Sequence, residues 1–127
     1  MDEKRTTLSA SEWRVMDCLW AGPKTLMELV RELKDSAGWA KSTVTTMVRR
    51  MEEKGLITYE TSGRTKLFRA ALGREDAVAA ETDSLLERAF RGSVGLLVSS
   101  LADRGGLSKA DIDELYDILD RAEEEAK

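Results

Sequence analysis

The chain has 127 residues, 42% hydrophobic and 35% charged, with a formal net charge of −4 at pH 7. This is the size of one ordinary domain, or of a small domain with an appendage, and it suffices to bury a core without covalent staples. One cysteine and no histidine exclude an intramolecular disulfide framework, Cys-cluster and His metal sites, and His-based triads and proton shuttles.

No apolar run approaches the ~18 residues of a membrane span, and the N-terminal Met1-Asp2-Glu3-Lys4-Arg5-Thr6-Thr7 has no signal-peptide core. The expected compartment is the cytoplasm, with no membrane partner. Taken whole, the acidic balance argues against nucleic acid. Taken in halves it does not. Residues 1–74 hold 14 Lys+Arg against 10 Asp+Glu, net +4, while residues 75–127 hold 6 against 14, net −8. That split points to two regions with different partners.

The first helix starts at Ser9, where Glu12 three residues on completes a capping box. Leu8 and Trp13 stand at hydrophobic-staple spacing, and Trp13, Met16, Leu19 and Trp20 follow at helical spacing until Gly22-Pro23. A second helix starts at Thr25 with Glu28 as another capping box, carries Leu26, Leu29, Val30 and Leu33, and ends by Gly38. A third is expected over about 41–54, with Val44, Met47, Val48 and Met51 as its inner face and Gly55 beyond its end. The period then changes. Residues 56–60 and 65–70 read as two short strands joined by the turn Thr61-Ser62-Gly63-Arg64. After Leu72-Gly73 the chain is helical again. Val78, Leu85, Leu86, Ala89 and Phe90 line one segment, residues 94–101 form a short apolar helix, and Ser108 caps a last helix with Ile112, Leu115, Leu119 and Ala122 at 3–4 spacing.

Helix, helix, helix, hairpin is the element order of a winged helix-turn-helix. The expected architecture is mainly α with a small β-hairpin: a winged helix-turn-helix domain over 1–72, followed by a helical region over 73–127. On the third helix, the face opposite the apolar stripe holds Ser42, Thr45, Thr46, Arg49, Arg50 and Glu53. Small hydroxyls near a helix start can approach base edges, and helix N-termini suit phosphates. Residues 41–69 hold seven basic and three acidic side chains, and Arg64, Lys66 and Arg69 lie on the hairpin, where a basic wing can reach phosphates. The alternative is a solvated helix face beside a charged edge strand.

The acidic end has its own logic. Residues 111–125 carry eight acids and one Arg, so this helix should point away from phosphate. Three amphipathic helices in so short an appendage need a partner for their apolar stripes, and pairing with a second copy supplies it; the alternative is that they pack back on the winged domain as a monomer. Leu85, Leu86, Phe90, Leu97, Leu101, Ile112, Leu115 and Leu119 are the candidate pairing residues. No catalytic residue or cofactor is expected: there is no Gly-Lys pair for a phosphate loop, and Asp111-x-Asp113-Glu114 reads as a solvated helix face. Cys18, mid-helix beside Leu19 and the tryptophans, reads as a buried, inert thiol.

Leu8-Ser9-x-x-Glu12-Trp13-x-Val15-Met16-x-x-Leu19-Trp20, joined to Trp39-x-x-x-Thr43-Val44-x-Thr46-Met47-x-x-Arg50-Met51-x-x-Lys54-Gly55, resembles the DNA-binding domain of the penicillinase-repressor family, the BlaI/MecI/CopY type of bacterial regulators. Phe90-Arg91-Gly92-Ser93 and Leu107-Ser108-x-x-Asp111-Ile112-x-Glu114-Leu115 resemble its dimerisation region. The resemblance implies a transcriptional repressor, homodimeric on an inverted-repeat operator of double-stranded DNA, controlling a β-lactam-resistance or other stress-response operon. It carries over DNA contact to Thr43, Thr46 and Arg50, and Lys41 completes the candidate recognition helix. Many members have Ser-Pro where this chain has Ala40-Lys41, so the helix cap is expected to shift to Ser42 and the register of base contacts with it. The best-studied members are inactivated by a membrane metalloprotease, usually at an Asn-Phe bond. The aligned bond here is Ser100-Leu101, which lacks that signature. A copper-sensing branch carries a C-terminal Cys-x-Cys, absent here, so no metal is expected. The reading from another class is a winged-helix protein-interaction module with no DNA role, against which the basic outer face of residues 41–69 speaks.

Overall fold

The computed structural model describes residues 7–127; residues 1–6 of the N-terminal stretch read above lie outside the described residues. Helix α1 spans Ala10–Trp20 and opens on the expected capping box. Ser9 Oγ accepts from the Glu12 amide at 3.1 Å, and the Glu12 carboxylate accepts from the Ser9 amide at 2.9 Å. Val15, Met16 and Leu19 are buried. The indole N–H of Trp20 donates to the carbonyl of Leu72 at 2.9 Å, tying the end of α1 to the chain beyond the hairpin.

Strand β1, Lys24–Thr25, leads straight into α2, Leu26–Ala37. Thr25 serves twice, as the end of a strand and as the N-cap of α2 in a capping box with Glu28. The sequence reading missed β1, because two residues carry no periodicity. Leu29, Val30 and Leu33 are buried, and Gly38 closes α2 in the left-handed region at φ 70°.

Helix α3 spans Lys41–Glu53 and buries Val44, Val48 and Met51. Met47, expected on the same face, is only partly buried at its margin. The expected shift of the cap to Ser42 does not occur. Ala40 is the N-cap, extended at φ −73° and ψ 157°, with no side-chain hydrogen bond. Its carbonyl accepts from the amides of Thr43 and Val44 at 3.1 and 3.2 Å. The amide of Trp39 is already bonded to the Leu33 carbonyl at 3.2 Å, so the chain leaving α2 turns at once into α3. A start at Ser42 would forfeit the Ala40 bonds just where Val44 must face the core.

Strands β2, Ile57–Ser62, and β3, Thr65–Ala70, pair antiparallel with Ser62 opposite Thr65 and Tyr59 opposite Phe68. The turn is therefore Gly63-Arg64 alone, shorter than the four-residue turn expected. Gly63 takes φ 64°, which lets two residues reverse the chain while Thr61 and Ser62 stay in the ladder. β1 pairs with the other edge of β3, giving the order β1-β3-β2.

Helices α4, Arg74–Phe90, α5, Val94–Asp103, and α6, Lys109–Glu125, complete the chain. The chain divides into compact units Met1–Asp83 and Ser84–Lys127. In the first unit α4 buries Ala77 and Ala80, and Ala77 joins the core of α1 to α3. Those alanines lie outside the stripe read from the sequence; Val78, within it, is 37% exposed. In the second unit neither α5 nor α6 buries a residue.

Among the described residues Glu12 is the one buried charged side chain. Besides the Ser9 amide, it takes a short ion pair from Lys54, the residue at the C-terminal end of α3. Burial pushes the Glu12 carboxyl up, but the Lys54 ammonium and the Ser9 amide outweigh it and hold the group below its ordinary value. Lys54→Ala leaves this carboxylate buried with one partner fewer, an expected loss of about 1–2 kcal/mol at neutral pH. Because the folded pKa is depressed, the pair's contribution is present above the unfolded pKa and lost as pH falls through the folded one. Urea unfolding of the variant and the parent should therefore diverge at neutral pH and converge in acid.

Candidate nucleic-acid interface

The outer side of α3 follows from its inner side. With Val44, Val48 and Met51 turned to the core, helical geometry sends Lys41, Ser42, Thr43, Thr45, Arg49 and Arg50 to the surface, where all are exposed; Thr46 is half-buried. The helix presents two flanks. On one, Thr45 and Arg49 share an open groove of about 730 Å³ with Arg64 and Lys66 of the hairpin, floored by Leu26, Val48 and Phe68. On the other, Ser42, Thr43, Thr46 and Arg50 line a smaller hollow with Met47.

The three hairpin cations expected to act together are split by the pleat. Lys66 and Phe68 point to one face of β3, and Arg69, an odd number of residues from both, points to the other. Arg69 is engaged there by Glu60 of β2 at 3.1 Å. Lys66 instead holds its ammonium 4.2 Å from the centre of the Tyr59 ring. Arg49 meets Glu53 one turn on at 3.7 Å, with both side chains well exposed. Among the described residues, Lys41, Arg50 and Arg64 form no ion pair. The surface thus offers hydroxyls and unneutralised cations from two separate elements, which is the inventory for phosphate and base-edge contact. With Ala40 at the N-cap, no side chain caps the first-turn amides of α3 by a hydrogen bond.

The penicillinase repressor family model matches residues 8–121. The chain belongs to the penicillinase repressor family. Its sequence is 27% identical over 119 residues to the penicillinase repressor of Bacillus licheniformis, covering 93% of each chain. It is 25% identical over 125 residues to the methicillin resistance regulatory protein MecI of Staphylococcus aureus (strain N315), covering 95% of this chain and 99% of that one. The solution structure of the DNA-binding domain of the repressor BlaI aligns with a TM-score of 0.51 and 25% identity, over 60% of this chain and 93% of that domain. In this member of the penicillinase repressor family the winged-helix architecture expected from the element order is the one observed. No helix among the described residues is long and apolar enough to cross a membrane.

Two features of the interface escaped the sequence reading. In the sequence Tyr59 is one residue of the strand read over 56–60, with nothing to mark it as a neighbour of Lys66. The separation of Arg69 from Lys66 follows from the period-two rule once the strand is known. Cys18 stands apart from this surface, half-buried against the core. Burial and then Glu32 push its thiol up to about 12, so very little thiolate exists near neutral pH. Iodoacetamide at pH 8 should alkylate Cys18 at least ten-fold more slowly in the folded protein than in urea, as followed by mass spectrometry. Equal rates would mean the thiol is open and ordinary.

Proposed function

We propose that this chain is a sequence-specific DNA-binding transcriptional repressor, acting in the cytoplasm as a homodimer on an inverted-repeat operator. The observation that carries the reading is the convergence of Thr45 and Arg49 from α3 with Arg64 and Lys66 from the hairpin on one groove, beside a second flank of Ser42, Thr43, Thr46 and Arg50. In the reading, α3 enters the major groove, Thr43, Thr46 and Arg50 meet base edges, and Lys41, Arg64 and Lys66 meet phosphates. Arg69 lies farther from the DNA, held by Glu60.

The homodimer rests on the second unit. Leu85, Leu101, Ile112 and Leu119 are exposed, Leu119 to 60%, and so are Val94, Leu96, Tyr116 and Ile118, which the sequence reading did not include. Leu86, Phe90, Leu97 and Leu115 are half-buried. So much apolar surface on a short helical unit calls for a cover, and a second copy supplies one together with the two-fold symmetry an inverted repeat requires. The family reading extends to a β-lactam-resistance or other stress-response operon and to a membrane metalloprotease that releases the repressor. The bond Ser100-Leu101 lies inside α5, so cleavage there requires that helix to unwind locally.

Fluorescence anisotropy with a duplex spanning the region upstream of its own coding sequence, against a random duplex, tests the DNA role. The parent should prefer the former, with affinity falling steeply in salt. Arg50→Ala should cost about 1–3 kcal/mol on the preferred duplex and narrow the preference. Lys66→Ala should weaken both duplexes alike and lower the salt slope by about 1. Arg69→Ala should do less than Lys66→Ala. No preference by the parent would favour the protein-interaction module. Separately, light scattering of the intact chain at micromolar concentration should give twice the chain mass, and Ile112→Asp with Leu119→Asp should halve it. A monomeric parent would remove the homodimer.

A further inference from the structure

We infer that Tyr59 is a positioning residue for DNA binding: its ring holds the Lys66 ammonium in place before DNA arrives, so that Lys66 meets a phosphate already ordered. The inference rests on the DNA reading above and extends it to a residue outside the proposed contact set. Lys66 stands on β3 at the rim of the groove shared by α3 and the hairpin. A lysine on an exposed strand has a long flexible stem, and fixing it against a phosphate costs side-chain freedom at the moment of binding. Here the freedom is already reduced, because the ammonium lies 4.2 Å from the centre of the Tyr59 ring, well within cation–π range.

The ring is itself anchored. Tyr59 pairs directly with Phe68 across the hairpin, their rings 5.8 Å apart and tilted by 57°, and Phe68 is 95% buried in the core cluster (5% exposed). A chain of contacts therefore runs from the core through Phe68 and Tyr59 to the Lys66 charge. The register explains the reach: Lys66 faces Thr61, so Tyr59 is its diagonal neighbour on the same face, a distance aromatic and long side chains span. Arg64 and Arg49 line the same groove. The negative face of the ring favours Lys66 on this side despite like charges nearby. The role requires the π-face and not the hydroxyl. An aliphatic residue would keep the strand and the packing yet lose the hold on Lys66.

The test uses the intact protein and a random-sequence duplex at low salt, since a phosphate contact does not depend on sequence. In proton NMR of the free protein, the Lys66 ε-methylene should be shifted upfield by the ring in the parent and in Tyr59→Phe, and return to its ordinary position in Tyr59→Leu. DNA affinity should fall roughly two- to five-fold in Tyr59→Leu and stay within about two-fold of the parent in Tyr59→Phe. The double variant Tyr59→Leu with Lys66→Ala should bind no more weakly than Lys66→Ala alone, a non-additivity that a merely structural role for Tyr59 would not produce. Losses that add, an ordinary Lys66 signal in the parent, or a Tyr59→Phe loss as large as that of Tyr59→Leu would each overturn the inference. A parent with the upfield signal but no affinity for any duplex would overturn the DNA reading itself, and the phosphate role with it.

Discussion

The Glu12 carboxylate holds the start of α1 and the end of α3 at the same time. One oxygen accepts from the Ser9 amide, and the other takes the Lys54 ammonium. A buried charge is costly without partners and tolerable with two of them. The geometry that satisfies Glu12 therefore also sets where the last turn of α3 lies against α1. The Trp20 bond to Leu72 does a related task at the other end of α1, so the first helix braces both the recognition-type helix and the chain that follows the sheet. Neither contact touches the proposed DNA surface, and both add to the packing of Val44, Val48 and Met51 that turns Thr46, Arg49 and Arg50 outward.

The apolar stripes of the two units meet different fates, and the difference carries functional content. In the first unit Val44, Val48 and Met51 find Val15, Met16, Leu29 and Leu33 within the same chain. The stripe is consumed internally, and the opposite face of α3 is left for something else. In the second unit α5 and α6 fully bury no residue. Hydrophobic surface is equally unfavourable in water in both places. The first unit resolves the cost within one chain, and the second keeps large apolar side chains such as Val94, Tyr116 and Leu119 exposed.

Charge shows the same economy at finer grain. The net −4 of the whole chain describes neither half. Even within the basic half, position decides what a cation can do. Arg69 is held by Glu60 on one side of the hairpin, Lys66 rests on an aromatic ring on the other, and Arg50 stands unpaired among the described residues. Three residues of one formal charge thus offer a phosphate three different degrees of availability.

Local signals were enough to read much of this protein from sequence alone. The capping boxes at Ser9 and Thr25, the cap at Ser108, the stripe through Val44, Val48 and Met51, and the glycine at the hairpin turn are all determined by neighbours within four residues, because capping, helical periodicity and φ preference are short-range physics. The outward set on α3 followed from the same periodicity. Tertiary structure decided the rest, through contacts between residues far apart in the chain. Strand β1 exists only because β3 offers it an edge. Ala40 rather than Ser42 starts α3 because Trp39 is pinned to Leu33 and Val44 is already needed in the core. Glu12 meets Lys54 across 42 residues. Lys66 and Arg69 part company because a pleated strand, once its inner face is committed to Phe68, has no choice about where its other side chains point.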